Sequence, residues 1–162
     1  MKALLPLSFV FVAIAAACGA PATPSAAQEM RSQAALAVHD AWAAPTPAGV
    51  DVAAGYLTIS NHTGRTDRLL SATSARAERV EIHEMTMNGA VMQMRAVARV
   101  EVPAGRDVQL GPGGMHLMFF GVSEPFAEGQ TVPVRLVFET AGAVDVNLPV
   151  RRRGAPFHGH SG

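Results

Sequence analysis

From Leu36 onward the chain carries short apolar or alternating runs, each closed by Gly, Pro, Asn or Asp. Eight of them stand out: Leu36 to Val38, Ala53 to Asn61, Arg79 to Met85, Val91 to Ala98, Val108 to Leu110, Met115 to Gly121, Val132 to Glu139 and Val144 to Val150. Short runs separated by regular turn signals predict an all-β sandwich or barrel. None sustains a helical period, and Ser25 to Ala37 would make at most a frayed turn or two in isolation. The turns carry their own signals. Asn88-Gly89 lies between two strand-like runs as a favoured hairpin pair, and Pro103-Ala104-Gly105 and Gly111-Pro112-Gly113-Gly114 mark further reversals.

The segment ahead of the strands reads differently. Lys2 followed by the apolar stretch Leu4 to Ala17 has the layout of an export signal, and the stretch is short for a membrane span. The expected organisation is a signal peptide over 1–18, a small, Pro-punctuated flexible tether over 19–34, a single folded domain over 35–150 and a basic, His-containing tail over 151–162. Cys18 is the only cysteine, and its setting after Ala15-Ala16-Ala17 resembles a bacterial lipoprotein cleavage box, with Ala15 where Leu is usual. Cys18 is therefore the candidate lipidation site, and Ser25-Ala26-Ala27 offers an ordinary cleavage site as the alternative. Either route places the mature protein outside the cytoplasm, with a lipid anchor to the membrane in the first case. Either route also leaves the folded domain without cysteine, which removes disulfides, thiolate metal sites and thiol redox catalysis together.

Composition narrows the partners. A chain of 162 residues with 49% hydrophobic content can bury one sizeable core. Thirteen basic side chains balance 13 acidic ones, which gives no electrostatic case for nucleic acid. Arg151-Arg152-Arg153 reads as a solvated basic end to the last strand. No Ser/His/Asp set, paired catalytic carboxylates, phosphate-cradling Gly loop or CxxC is evident, and a non-enzymatic monomer is expected.

The candidate chemistry is His83, Met94, His116 and Met118, spaced His-x10-Met-x21-His-x-Met. Two imidazoles and two thioethers suit a soft monovalent metal, which points to copper(I) rather than calcium, magnesium or zinc. Taken singly, His83 in its polar run reads as a solvated surface residue, and Met92, Met94 and Met118 read as core fillers. Taken together, the spacing resembles the metal motif of the periplasmic copper chaperone family often called PCuAC. Further stretches similar to that family are Asp40-Ala41-Trp42, Ala54 to Asn61, Asp67-Arg68-Leu69, Val80 to Met85, Gly111 to Met118 and Val144 to Val150. Where the family usually has Arg soon after the Trp, this chain has Ala43 and Ala44.

The resemblance implies a cupredoxin-like Greek-key fold in which His83, Met94, His116 and Met118 bind copper(I). It implies a function as well: a periplasmic carrier handing copper(I) to the copper-A centre of cytochrome c oxidase, through subunit II or its assembly factors. General copper buffering or tolerance would use the same ligands, and a metal-free β-sandwich assembly module is the remaining alternative. An electron-transfer cupredoxin would need a Cys thiolate that the domain lacks. Side-chain alternation puts His116 and Met118 on one face with Leu117 and Phe119 on the other, and brings His83 from a neighbouring strand end with Val80 and Ile82 facing the core. Met85 shares the parity of His83 and is an accessory candidate, whereas Met92 and Met115 are expected to shield the site and fill space. Family members with His- or Met-rich tails suggest copper(II) at His158 and His160, and a merely solvated tail is the alternative reading. His39 and His62 have no supporting neighbours in sequence.

Overall fold

The structure, a computed structural model, describes residues 36–154. Cys18, His158 and His160, with the expected signal peptide and tether, lie outside the described residues. The described residues form ten strands, all paired antiparallel: β1 Leu36–Ala43, β2 Val52–Asn61, β3 Asp67–Thr73, β4 Ala77–Asn88, β5 Val91–Ala96, β6 Val100–Val102, β7 Asp107–Leu110, β8 Met115–Val122, β9 Thr131–Phe138 and β10 Gly142–Pro149. Their order is β1-β2-β8-β4-β3-β9-β10, with β5 added to β4, β6 to β3 and β7 to β2. Ala43 on β1 bridges Val150 beyond β10, and the Arg151 N–H donates to the Ala43 carbonyl at 3.0 Å. The sheet thus nearly closes on itself, as a barrel-like sandwich must to leave few free edges.

Two strands escaped the hydrophobic pattern. β3 opens with Asp67-Arg68 and leaves Leu70 exposed, so only Leu69 and Ala72 mark its apolar face. β6 is three residues long and contributes Val100 and Val102 to the core. Neither offers enough alternation to register as a period-2 signal.

Three strands change neighbours part-way along, which folds one sheet into two layers. β2 pairs β8 over Val52 to Gly55 and β7 over Leu57 to Ser60. β3 pairs β6 from Asp67 to Leu69 and meets β4 at Ala72. β4 faces β3 at Val80 and takes β5 from His83 onward, while β8 stays along its other edge. Inside, Phe119 and Phe126 meet edge-on with centroids 5.4 Å apart, among Leu57, Leu117, Leu136 and Leu148.

Buried polar groups fix the loops. The Asn61 amide donates to the carbonyls of Arg65 and Val102 and accepts from the backbone and hydroxyl of Thr63. The Asp67 carboxylate accepts from the backbone N–H groups of Arg68, Thr140 and Ala141 at 2.7 to 2.9 Å. Both residues lie in stretches that carry the family resemblance, and both serve the backbone.

Gly55 sits where β2 crosses between β1 and β8, and a Cβ there would lie 2.8 Å from the Phe119 ring and 2.9 Å from Leu148. Both neighbours are fully buried, so neither can yield without repacking. Gly55→Ala is expected to destabilise the fold by about 1–3 kcal/mol, the usual overpacking range. Urea unfolding with an unchanged midpoint would show that the core has slack at this crossing.

Candidate metal centre

His83 and His116 are directly opposite one another on β4 and β8, with ring centroids 6.1 Å apart. The next same-face pair is Glu81 opposite Met118, and on the other side of β4 Met85 lies opposite Met94. His83, Met94, His116 and Met118 therefore share one face of three adjacent strands, and Met85 shares it with them. Leu117 and Phe119 turn into the core with Ile82, as alternation required, and Val80 packs partly against it.

Two local expectations are corrected. His83 does not come from a strand end: β4 continues to Asn88 because the hairpin with β5 keeps it paired, so His83 lies in the strand interior. The turn is not Asn88-Gly89 either. Asn88 pairs with Val91, leaving Gly89-Ala90 as the loop, with positive φ at Gly89 alone, as a II′ turn needs. A loop at Asn88-Gly89 would have set Met94 opposite His83. The observed register preserves the face but moves Met94 one rung toward the tip, opposite Met85.

Hydrogen bonds assign each imidazole a free nitrogen. His83 Nε2 lies 2.8 Å from Glu81 Oε2, and a carboxylate can only accept, so Nε2 carries the proton. His83 Nδ1 is then a lone pair, buried and without a hydrogen-bond partner among the described residues. His116 reverses the pattern. Its Nδ1 is 3.1 Å from the Gly114 carbonyl, so Nδ1–H donates and Nε2 is left as the acceptor. One ring nitrogen tied to a carboxylate or carbonyl and the other left open is how metal-ligating histidines are held.

Glu81 is itself occupied. Its Oε1 accepts from Arg79 Nε at 2.6 Å, and Arg79 lies over the Phe120 ring. The hydrogen bond from His83, with the one from Arg79, holds the Glu81 carboxyl below the usual carboxylate range despite partial desolvation. On the far side of His116, Tyr56 lies 6.3 Å away by ring centroid and stacks on Trp42 at 4.5 Å. Trp42 reaches this row through a bulge in β1 between His39 and Trp42, where Asp40 adopts φ 50°. Burial raises the Tyr56 phenol above its ordinary value, against the pull of Arg153, so Tyr56 remains neutral beside the histidines. His39 has its own partners, Ser60 and Asp40.

Exposure grades across the site. His116 is 4% exposed and the His83 side chain 13%, both far from the solvated reading that His83 invited alone. Met118 and Met85 are half-buried and Met94 is exposed. Met115 packs against the core as expected, but Met92 fills no space: it is exposed near the hairpin tip. Sequence reasoning missed Glu81, whose position two residues before His83 on the same face was the available signal. Among the described residues, no three or more of His, Cys, Asp and Glu come together to hold a metal ion. The further open side-chain donors on this face are the thioethers of Met85, Met94 and Met118.

The sequence model of the family described as "Putative lipoprotein LpqE-like" matches residues 36–150. The chain belongs to that family. A Leifsonia xyli subsp. xyli protein named "Putative lipoprotein Lxx21020" is 33% identical over 130 residues, covering 79% of this chain and 77% of that one. Among solved structures, the copper-bound PCuAC domain from PmoF2 is 26% identical with a TM-score of 0.63, covering 72% of this chain and 92% of that domain. The copper(I) form of DR1885 from Deinococcus radiodurans is 25% identical with a TM-score of 0.58, covering 70% and 76%. The expected cupredoxin-like, all-β class is the class observed. The PCuAC likeness enters through solved domains, and the matching family model is the LpqE-like one.

The hydrogen-bond pattern makes a spectroscopic prediction. Long-range proton–nitrogen spectra of the metal-free protein at alkaline pH should show His83 as the Nε2–H tautomer and His116 as the Nδ1–H tautomer. Glu81→Ala should release the first and leave the second. The opposite tautomer at either ring would refute the assignment of its free nitrogen.

Proposed function

We propose that this protein is an extracytoplasmic copper(I) chaperone whose cargo is held by His83 Nδ1, His116 Nε2 and the thioethers of Met94 and Met118. The observation that carries the reading is the complementary tethering of two facing imidazoles. Each has one nitrogen fixed by a protein acceptor and one left open, on a face whose remaining donors are sulfur. Glu81 and the Gly114 carbonyl orient the rings and fix their tautomers, so little ordering remains when the ion arrives. Met118 lies beside His116 on the same strand, and Met94 approaches from the open side. The likeness to copper-bound PCuAC domains supports the cargo; the proposed recipient, the copper-A centre of cytochrome c oxidase through subunit II or its assembly factors, is the one that the sequence resemblance implies. Copper(I) is bound and released without turnover.

Under reducing conditions the mature protein should take up copper(I) at this site, with silver(I) competing and zinc not. His116→Ala with Met118→Ala should abolish that uptake. Met94→Leu should weaken it while changing apo stability by less than about 1.5 kcal/mol, since volume and apolarity are nearly conserved and Met94 is 45% exposed. Uptake unchanged by the double substitution, or a loss of several kcal/mol in the Met94 variant, would refute the ligand assignment.

Membership of a family described as lipoproteins supports Cys18 as the lipidated first residue of a membrane-anchored mature form. Mass spectrometry of protein extracted from native membranes should find an acylated N-terminal Cys18. A soluble form beginning near Gln28 would rule the anchor out.

A further inference from the structure

The β4–β5 hairpin has two unlike faces. One carries the Thr86–Gln93 pair and the Glu84–Arg95 ion pair, in which Arg95 donates to Glu84 at 2.6 Å. The other, between the His83 rung and the turn, carries only methionine: Met85 opposite Met94 and Met87 opposite Met92. An alternating strand pair ordinarily turns its apolar face to a core. Among the described residues β5 pairs with β4 alone, and Met87 and Met92 are 63% and 60% exposed. Packing therefore does not account for them. Six of the eight methionines fall between Met85 and Met118, and four occupy every position of this one face.

We propose that Met85, Met87 and Met92 form a second, solvent-open site for a soft monovalent cation, copper(I) or silver(I), adjoining the His83–His116 site through Met94. The inference rests on the copper(I) reading above for the identity of the cargo. Facing residues on paired strands have Cβ atoms about 5 Å apart, and three rotatable bonds let each thioether swing onto a shared ion. Three neutral sulfur donors suit a soft cation and bind hard cations poorly. The ion passes between the sites by replacing one thioether at a time, with Met94 common to both steps. It remains monovalent throughout, and no proton or electron is exchanged. The outer site is thus the exchange station at which a partner's own soft ligands take or give the ion.

The test is titration of the full mature chain, labelled with carbon-13 at the methionine methyls, with silver(I) as a redox-inert probe. The Met118 and Met94 methyls should move with the first equivalent, and those of Met85, Met87 and Met92 with a later one. Met87→Leu with Met92→Leu keeps the surface apolar; it should erase the later event at Met85 and leave the first unchanged. His116→Ala with Met118→Ala should do the reverse. Met87 and Met92 methyls that stay fixed in excess silver(I), while Met118 moves, overturn this inference and leave the inner site standing. Movement of Met87 and Met92 without Met118 supports the outer site and overturns the inner one.

Discussion

The register between β4 and β8 governs everything at the candidate site. Ala77 opposite Val122 through Glu84 opposite Met115 sets Ile82, Leu117 and Phe119 into the core and His83, His116 and Met118 onto the other face. A slip of one residue would reverse both sets. It would expose Leu117 and Phe119, each worth roughly 1.5–3 kcal/mol in burial, and drive two imidazoles into apolar surroundings. Ring contact at 6.1 Å contributes little on that scale. The core therefore enforces the facing of the histidines, and the site inherits its geometry from residues that never touch it.

What the core does for the imidazoles it does not do for the sulfurs. β8 lies between β2 and β4, with the Trp42–Tyr56 stack beyond His116, so the histidine side of the site is walled by neighbouring strands. Among the described residues no strand lies on the outer side of β5, and the thioethers along the hairpin grade from half-buried Met85 to exposed Met87. The proposed carrier role asks the site to hold its ion against solvent and still release it to another protein. Oriented imidazoles behind and exposed, flexible thioethers in front divide those two demands between two kinds of side chain.

Much of this was legible in the residues because period-2 alternation is strict. Once Met115 to Gly121 is read as a strand, that geometry alone sets His116 and Met118 on one face and Leu117 and Phe119 on the other. β3 was not legible, since Asp67 is buried as a backbone acceptor and Leu70 points outward, which spoils the pattern from both sides. The hairpin register turned on whether Asn88 belonged to loop or strand, a choice decided by pairing with Val91 rather than by turn propensity. Trp42 could be aligned with the family stretch but not aimed, because a bulge at Asp40 shifts every later residue of β1. The tether from Glu81 to His83 depends on two side chains of one strand sharing a face, which a search for ligands alone passes over.

The proposed selectivity rests on what each polar group at the candidate site is already committed to. Both oxygens of Glu81 are engaged, one by Arg79 and one by His83, so the nearest carboxylate is not available to draw in calcium or magnesium. Tyr56 stays protonated in its half-buried setting and offers no phenolate. The open donors that remain on this face are one nitrogen from each imidazole and the thioethers. Zinc favours carboxylate, thiolate or additional imidazole, none of which is free here, whereas a soft monovalent ion is served by two nitrogens and neutral sulfur. The hydrogen bonds that orient the histidines thereby also remove the hard donors from competition.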